Sequence, residues 1–369
     1  MFDNLRVLEL ASVLAGPSVG QFFAELGADV IKVENITGGG DVTRSWKSAG
    51  ENTDDRSAYF SSVNWGKRSL AVDLTTKEGR LVIQKLAAKS DLVITSYKPG
   101  DDIKLGVSYE DLQGINSKII YGRITGYGPL NDRVGYDAVL QAESGFMSLN
   151  GEENGPPIKM PVALIDVLAA HQLKEGLLIA LLKLERTGEG SLVDVSLIQS
   201  AVASLVNQAS NWLVGGSLPT RKGSLHPNIA PYGEWFETKD GKKLLLAIGN
   251  DRQFNDLCKL LKLDVRDRYA TNVDRVRNRN VLGDLIATKI RQLNMDELQS
   301  KINQLKIPAG VIQDLREVFE MPQAKELLLS GEGLKGVRSF VARSGNAPQN
   351  KLTSPPHLGQ HNDEILNSL

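Results

Sequence analysis

Asp166 stands inside an apolar run. In "PVALIDVLAAHQLKEGLLIALLKLERTG" (residues 161–188) it is flanked by Leu164-Ile165 and Val167-Leu168, on a pattern of helical period. Such neighbours partly desolvate a carboxylate, which raises its pKa and suits it to act as a nucleophile or base. Asp also favours helix starts, and Pro161 lies shortly upstream. An N-cap is therefore the alternative role.

Other chemistries find less support. There is no Gly-x-Ser-x-Gly elbow and no His-Glu-x-x-His. The histidines are His171, His226, His357 and His361. The close pair His357 and His361 sits in a loop without flanking zinc-type ligands, and His171 reads as an ordinary helix residue, so no metal site is expected. The single cysteine, Cys258 in "FNDLCKLLKL", cannot make an internal disulfide or a Cys-based zinc site. Its amphipathic spacing makes it a small core residue, in keeping with a reducing compartment.

Elements able to position Asp166 begin at the N-terminus. "LRVLEL" reads as a strand, "SVGQFFAEL" as a helix stopped by Gly27, and "DVIKVE" as a strand. After a polar, glycine-rich loop from Asn35 to Ser57 come a strand "RSLAVDL", a helix "KEGRLVIQKLAAKS", a strand "DLVITSY", a short helix "YEDLQGIN" and a strand "KIIYGRITGY". Strands alternating with helices predict a parallel α/β sheet. From Pro161 to Val214 the pattern predicts two long apolar helices split at "RTGEGS". Residues 223–313 form a more charged block, with a β-like "GEWFETKDGKKLLLAIG" turning at Asp-Gly and then polar helices, expected to be a smaller α+β domain. The tail "NAPQNKLTSPPHLGQHNDEIL" is loop-like and ends in a short helix.

Ligands of an open parallel sheet sit outside the carboxyl ends of its strands. Those ends carry Ala11 to Pro17, Glu34, Ser96 to Gly100 and Gly126 to Pro129. A dinucleotide needs Gly-x-Gly-x-x-Gly after the first strand, whereas "LAGPSVG" offers only Gly16 and Gly20. Glu34 does fall where a ribose-binding acid would. "GGGD" (Gly38 to Asp41) is a flexible loop able to approach a phosphate, but no P-loop Gly-Lys-Ser/Thr follows. Arg44, Trp46, Trp65, Lys67, Arg68, Lys98 and Lys104 gather near the same strand ends. Cations with aromatics suit an adenine nucleotide and its phosphates, and a solvated basic rim is the plainer alternative.

The bulk properties narrow the class. With 43 Lys+Arg against 44 Asp+Glu in 369 residues, the formal charge is −1, too small for a global field aimed at nucleic acid or membrane. No apolar run reaches the ~18 residues of a membrane span, and no leader pattern opens the chain. A soluble cytoplasmic protein of two or three domains is expected.

"LAGPSVGQFFAELGADVIKVE", "GDVTRSW", "NWGKRSLAVDL", "YKPG", "ITGYGP", "GYDAVLQAESG", "VDVSL", "HPNIAPYGEWFETKDG", "IPAGVI" and "LGQHNDEIL" occur in an order that resembles the family III CoA-transferases, across nearly the whole chain. The resemblance implies a Rossmann-like large domain built from both chain ends: residues 1–200, a linker helix 201–222, a small domain 223–313, and a return through 314–369. It implies an interlocked ring-like homodimer, no tightly bound cofactor, and a coenzyme A thioester and a carboxylic acid as substrates. Asp166 becomes the nucleophile, passing through an aspartyl-acyl anhydride and an aspartyl-CoA thioester. Coenzyme A contacts are assigned to Val13, Leu14, Ala15, Gly16, Glu34, Arg44, Lys67, Arg68, Ser96, Tyr97, Lys98, Lys104 and Arg123. The acyl pocket is assigned to Tyr136, with Gly249 and Asn250 of "AIGND" as a covering loop.

Related 2-methylacyl-CoA racemases place a histidine where this chain has Tyr136. A phenol of ordinary pKa near 10 is a poor two-way proton shuttle at neutral pH. Racemisation is therefore the second reading. Two departures bear on specificity and binding. Leu14 replaces a polar residue of formyl-CoA transferase, which disfavours a small polar acyl group. "TSYKPG" differs from the commoner Asn-Phe-x-Pro-Gly at Ser96 and Tyr97.

Overall fold

The computed structural model describes residues 2–264, 267–342 and 350–369. Strands β1 (Arg6–Leu10), β2 (Asp29–Asn35), β3 (Lys67–Val72), β4 (Leu92–Thr95), β5 (Ile120–Thr125) and β6 (Ser191–Ser196) form one sheet in the order β3-β2-β1-β4-β5-β6. Every pairing in it is parallel. The strand order reverses between β1 and β4, and the loops leaving these two strands open the crevice expected at such a switch point.

Helices cover both faces, as a parallel sheet requires. Helix α1 (Ala15–Glu25) and the long helix Leu164–Thr187 lie on one face. They share a core with Val7, Ile94, Ile120 and Ile124 of the sheet. On the long helix Ile165, Ala169, Leu173, Leu177 and Ala180 recur at helical spacing and are buried, and Gly188 ends it in the left-handed conformation (φ +73°). The other face packs Leu8, Ile31 and Val93 on Ile83, Leu86 and Leu112.

The region after the long helix differs from expectation. "VDVS" is not helical: it forms β6, pairing with β5 from Ile120↔Ser191 to Thr125↔Ser196. Apolar helical patterns on either side mask its two-residue alternation. Beyond β6 the chain forms two shorter helices, Leu197–Ala203 and Val206–Leu213, in place of one long one.

The chain divides into two units. One comprises residues 1–146, 159–217 and 326–369, and the other 147–158 and 218–325. The second thus extends beyond the 223–313 block at both ends and takes in 147–158, which the family resemblance assigns to the first. Its sheet is antiparallel: β7 (Tyr232–Glu237) and β8 (Lys243–Ala247) turn at Asp240-Gly241, and β9 (Ala309–Val311) pairs with β8. Helices Asp251–Leu261 and Arg279–Ile290 pack on this sheet around Phe236, Leu246, Phe254 and the buried Cys258.

In the first unit a hairpin of β10 (Leu328–Gly331) and β11 (Leu334–Val337) precedes the C-terminal segment. Residues 353–359 of that segment bond to Gly66, Arg44, Asp55 and Ser69 before the helix Asn362–Asn367. Residues 346–349 of the loop-like tail lie outside the described residues.

Candidate active site

A cavity of about 200 Å³ opens at the carboxyl ends of β1, β4 and β5. Ser12 to Ala15 follow β1, Ser96 to Pro99 follow β4, and Arg133 to Asp137 follow β5; all line this cavity together with Asp166. The structure thus brings together Val13, Leu14, Ala15, Ser96, Tyr97, Lys98, Tyr136 and Asp166 of the expected residues.

Asp166 lies in the first turn of its helix and is 8% exposed. It is not the N-cap: that position is Ala163, which makes no side-chain cap. Burial, followed by the charge of Asp137, raises the Asp166 carboxyl to about 7. Helix capping is done instead by Asp137, whose Oδ1 accepts the Ile165 N–H at 2.7 Å. Asp137 is itself held by Gln141 Nε2 at 2.7 Å, and Gln141 Oε1 accepts the Met160 N–H at 2.8 Å. Burial, then Asp166, Asp137 and Asp41, likewise raise the Tyr59 phenol above its ordinary value. Burial chiefly brings Tyr97 to about 12, so its hydroxyl stays protonated at any working pH.

The glycines of "GPSVG" have a role other than admitting a phosphate. A Cβ on Gly16 would fall 2.4 Å from the Ala11 Cβ, and one on Gly20 would fall 1.8 Å from Glu9 Oε2. They let α1 press onto β1. Gly16 does not line the cavity.

Several residues assigned to coenzyme A are engaged inside the protein, and the burial of Arg44 and Lys67 removes them from a solvated basic rim, the alternative reading. Glu34 and Arg44 form a two-pronged ion pair at 2.7 Å on each side, 3% and 5% exposed. Burial would raise Glu34, but Arg44 and Lys32 hold it below its ordinary value. The Arg44 guanidinium also stacks 3.7 Å over the Phe60 ring. Lys67 reaches Glu9 Oε2 at 2.7 Å, Pro17 O at 2.8 Å and Asn64 Oδ1 at 2.9 Å, and burial lowers it to about 8. Trp65 is wholly buried. "GGGD" ends in Asp41, a buried partner of Lys32 at 2.9 Å, so this loop is anchored at its acid.

Arg68, near the amino end of β3 and so away from the crevice, pairs with Asp29 and Glu364. Arg123 pairs with Asp194 of β6 at 2.6 Å, and the exposed Lys104 with Asp101 at 2.9 Å. Gly249 and Asn250 belong to the second unit and are tied to the helix after them. Gly249 N–H donates to Gln253 Oε1, and Asn250 Oδ1 accepts the Gln253 N–H. His357, without ligands nearby in sequence, meets Asp55 at 2.5 Å and lies 4.0 Å from Asp54. This is a gathering of metal-ligand types among the described residues. Arg44 and Arg56 already neutralise its two carboxylates.

The fold and the site show a parallel sheet with a buried carboxylate in the cavity at its switch point, and comparison with known proteins supplies the class. The family model for CoA-transferase family III matches residues 2–362, and the chain belongs to that family. It is 39% identical to a succinate–glutarate CoA-transferase of Agrobacterium fabrum, over 100% of this chain and 95% of that one. It is 36% identical to the human succinyl-CoA:glutarate CoA-transferase, over 99% of this chain and 85% of that one. A crystal structure of a CaiB/BaiF family protein from Brucella suis superposes with a TM-score of 0.89 at 38% identity, covering 100% and 98% of the two chains.

Proposed function

We propose that this enzyme moves coenzyme A from an acyl-CoA donor to a carboxylic acid through Asp166, with dicarboxylic acids of four or five carbons as donor and acceptor. The observation that carries the reading is a carboxylate 8% exposed, poised at about 7, in a cavity at the strand-order reversal. The names of the relatives supply the substrate class.

The Asp166 carboxylate attacks the thioester carbonyl, the C–S bond breaks, and coenzyme A leaves as thiolate, with the acyl group left on Asp166 as a mixed anhydride. The thiolate then attacks the Asp166 carbonyl, releasing the donor acid and leaving an aspartyl-CoA thioester. The acceptor carboxylate repeats the two steps in reverse, and Asp166 is regenerated. Helix α1 points its first N–H groups, at Ala15 and Gly16, toward the crevice end of β1, where they favour developing negative charge. Lys98, exposed on the cavity wall, suits a phosphate of the coenzyme.

The working enzyme on this reading is a cytoplasmic, interlocked homodimer without a tightly bound cofactor. The exposed apolar side chains of Trp212, Leu213 and Val214 support burial against a second copy. Among the described residues no helix is long and apolar enough to cross a membrane.

Mass spectrometry in D₂O, with succinyl-CoA and glutarate and in parallel with a 2-methylacyl-CoA, tests the reaction. Wild type should form glutaryl-CoA, and Asp166→Asn should form none. Deuterium gained at Cα of a 2-methylacyl-CoA without a new thioester would replace transfer by racemisation.

A further inference from the structure

The segment Ala11 to Val13 leaves β1 and leads into one wall of the cavity. Val13 has φ +73°, a left-handed conformation that a β-branched residue adopts only under constraint. The constraint is visible. Lys32 Nζ donates to the Ala11 carbonyl at 2.8 Å, and the Asp41 carboxylate accepts the Val13 N–H at 3.2 and 3.3 Å. Lys32 and Asp41 are bonded to each other at 2.9 Å, and both side chains are 1% exposed. Between them, Ser12 N–H donates to Ser96 Oγ at 3.1 Å, which ties the segment to the wall after β4.

We propose that the buried Lys32–Asp41 pair is a positioning device for the reaction: it grips the carbonyl at one end and the amide at the other, and holds Val13 in its strained conformation. Neither residue lines the cavity. Their effect passes through Ser12 to Ala15, which do. Each half of the clamp is itself fixed. Glu9 holds Lys32 at 3.1 Å, and the Thr43 N–H and hydroxyl hold Asp41 at 3.0 and 2.8 Å. A strained turn next to a nucleophile is worth keeping only if it sets geometry that relaxed backbone would lose.

The inference rests on the cavity being the catalytic site, and the test separates the two ideas. Asp41→Asn is compared with Val13→Gly/Asp41→Asn in succinyl-CoA:glutarate transfer, with melting temperature recorded for each. Asparagine has one acceptor oxygen for the partners that aspartate shared, so the clamp loosens. The expected result is a fall in kcat of roughly tenfold or more with KM changed much less. Glycine adopts positive φ without cost, so the double variant should recover most of the lost kcat even if its melting temperature stays low. Unchanged kcat in Asp41→Asn overturns the proposal, as does a loss that glycine fails to recover. Should Asp41→Asn not fold, Thr43→Val, which removes the hydroxyl that holds Asp41, takes its place. A fall in kcat that Val13→Gly recovers agrees with the clamp, and an unchanged kcat or a loss that glycine fails to recover overturns it. Asp166→Asn run alongside shows which idea has failed: activity surviving there removes the catalytic site itself, whereas activity surviving only in Asp41→Asn removes the clamp.

Discussion

Asp137 accepts the backbone N–H of Ile165 at 2.7 Å, which anchors its carboxylate beside the residue that precedes Asp166. One acid therefore caps the helix that carries the other, and its charge adds to burial in raising Asp166 to about 7. One side chain thus both caps the helix and adds to the basicity of Asp166.

The pH–rate profile should report this value. In the proposed reaction the attacking form is the carboxylate, so kcat/KM should rise about tenfold per pH unit below 7 and level off above it. A plateau already reached at pH 5 would mean that Asp166 is not the group whose ionisation limits the reaction.

Asp137→Asn keeps an oxygen for the Ile165 N–H and removes the charge. The plateau should then begin at lower pH than in wild type. It should still lie well above the ordinary carboxylate range, because burial is the larger cause. Pre-steady-state or steady-state rates over pH 4 to 9 check this.

Stability should answer with the opposite sign. Unfolded, Asp166 titrates near 3.8; folded, near 7. The folded protein thus binds more protons between those values, and its stability falls as pH rises through the window. Asp166→Asn escapes the penalty. Its stability relative to wild type should improve between pH 4 and pH 8 by on the order of a few kcal/mol, as read by chemical denaturation.

Gly20→Ala should destabilise by roughly 2 kcal/mol or more, since the added methyl meets a buried carboxylate fixed by Lys67 and Lys32. Alanine at an unencumbered helical glycine would instead stabilise slightly. A raised denaturation midpoint would show that α1 can lift off Glu9.

Local pattern carries much of the fold. The first five strands, α1, the Asp-Gly hairpin and the desolvated setting of Asp166 all arise from periodicity and turn chemistry. Sequence reasoning fails where long-range pairing decides. β6 is a strand because β5 offers it an edge, and six residues of "SLVDVS" cannot announce that alone. Arg44 and Lys67 look in sequence like phosphate ligands or a basic rim, and Glu34 like a ribose-binding acid. Only folding shows that Arg44 pairs with Glu34, and Lys67 with Glu9, in the interior. Asp137 sits in a motif whose conspicuous residue is its tyrosine, and nothing local marks a capping residue that lies 28 positions from the amide it caps.

The C-terminal segment has a consequence for synthesis. Pro356 accepts from Arg44, Leu358 N–H reaches Asp55, and Gly359 and His361 both engage Ser69. These contacts span about 290 to 310 positions of chain, so the surroundings of the Glu34–Arg44 pair stay unfinished until residues 356–361 have been made. Residues 218–325 leave the ribosome earlier and hold their own core. The nascent enzyme therefore carries a finished middle and an open beginning, and for that interval the half-made sheet around β2 and β3 is the part most in need of a chaperone.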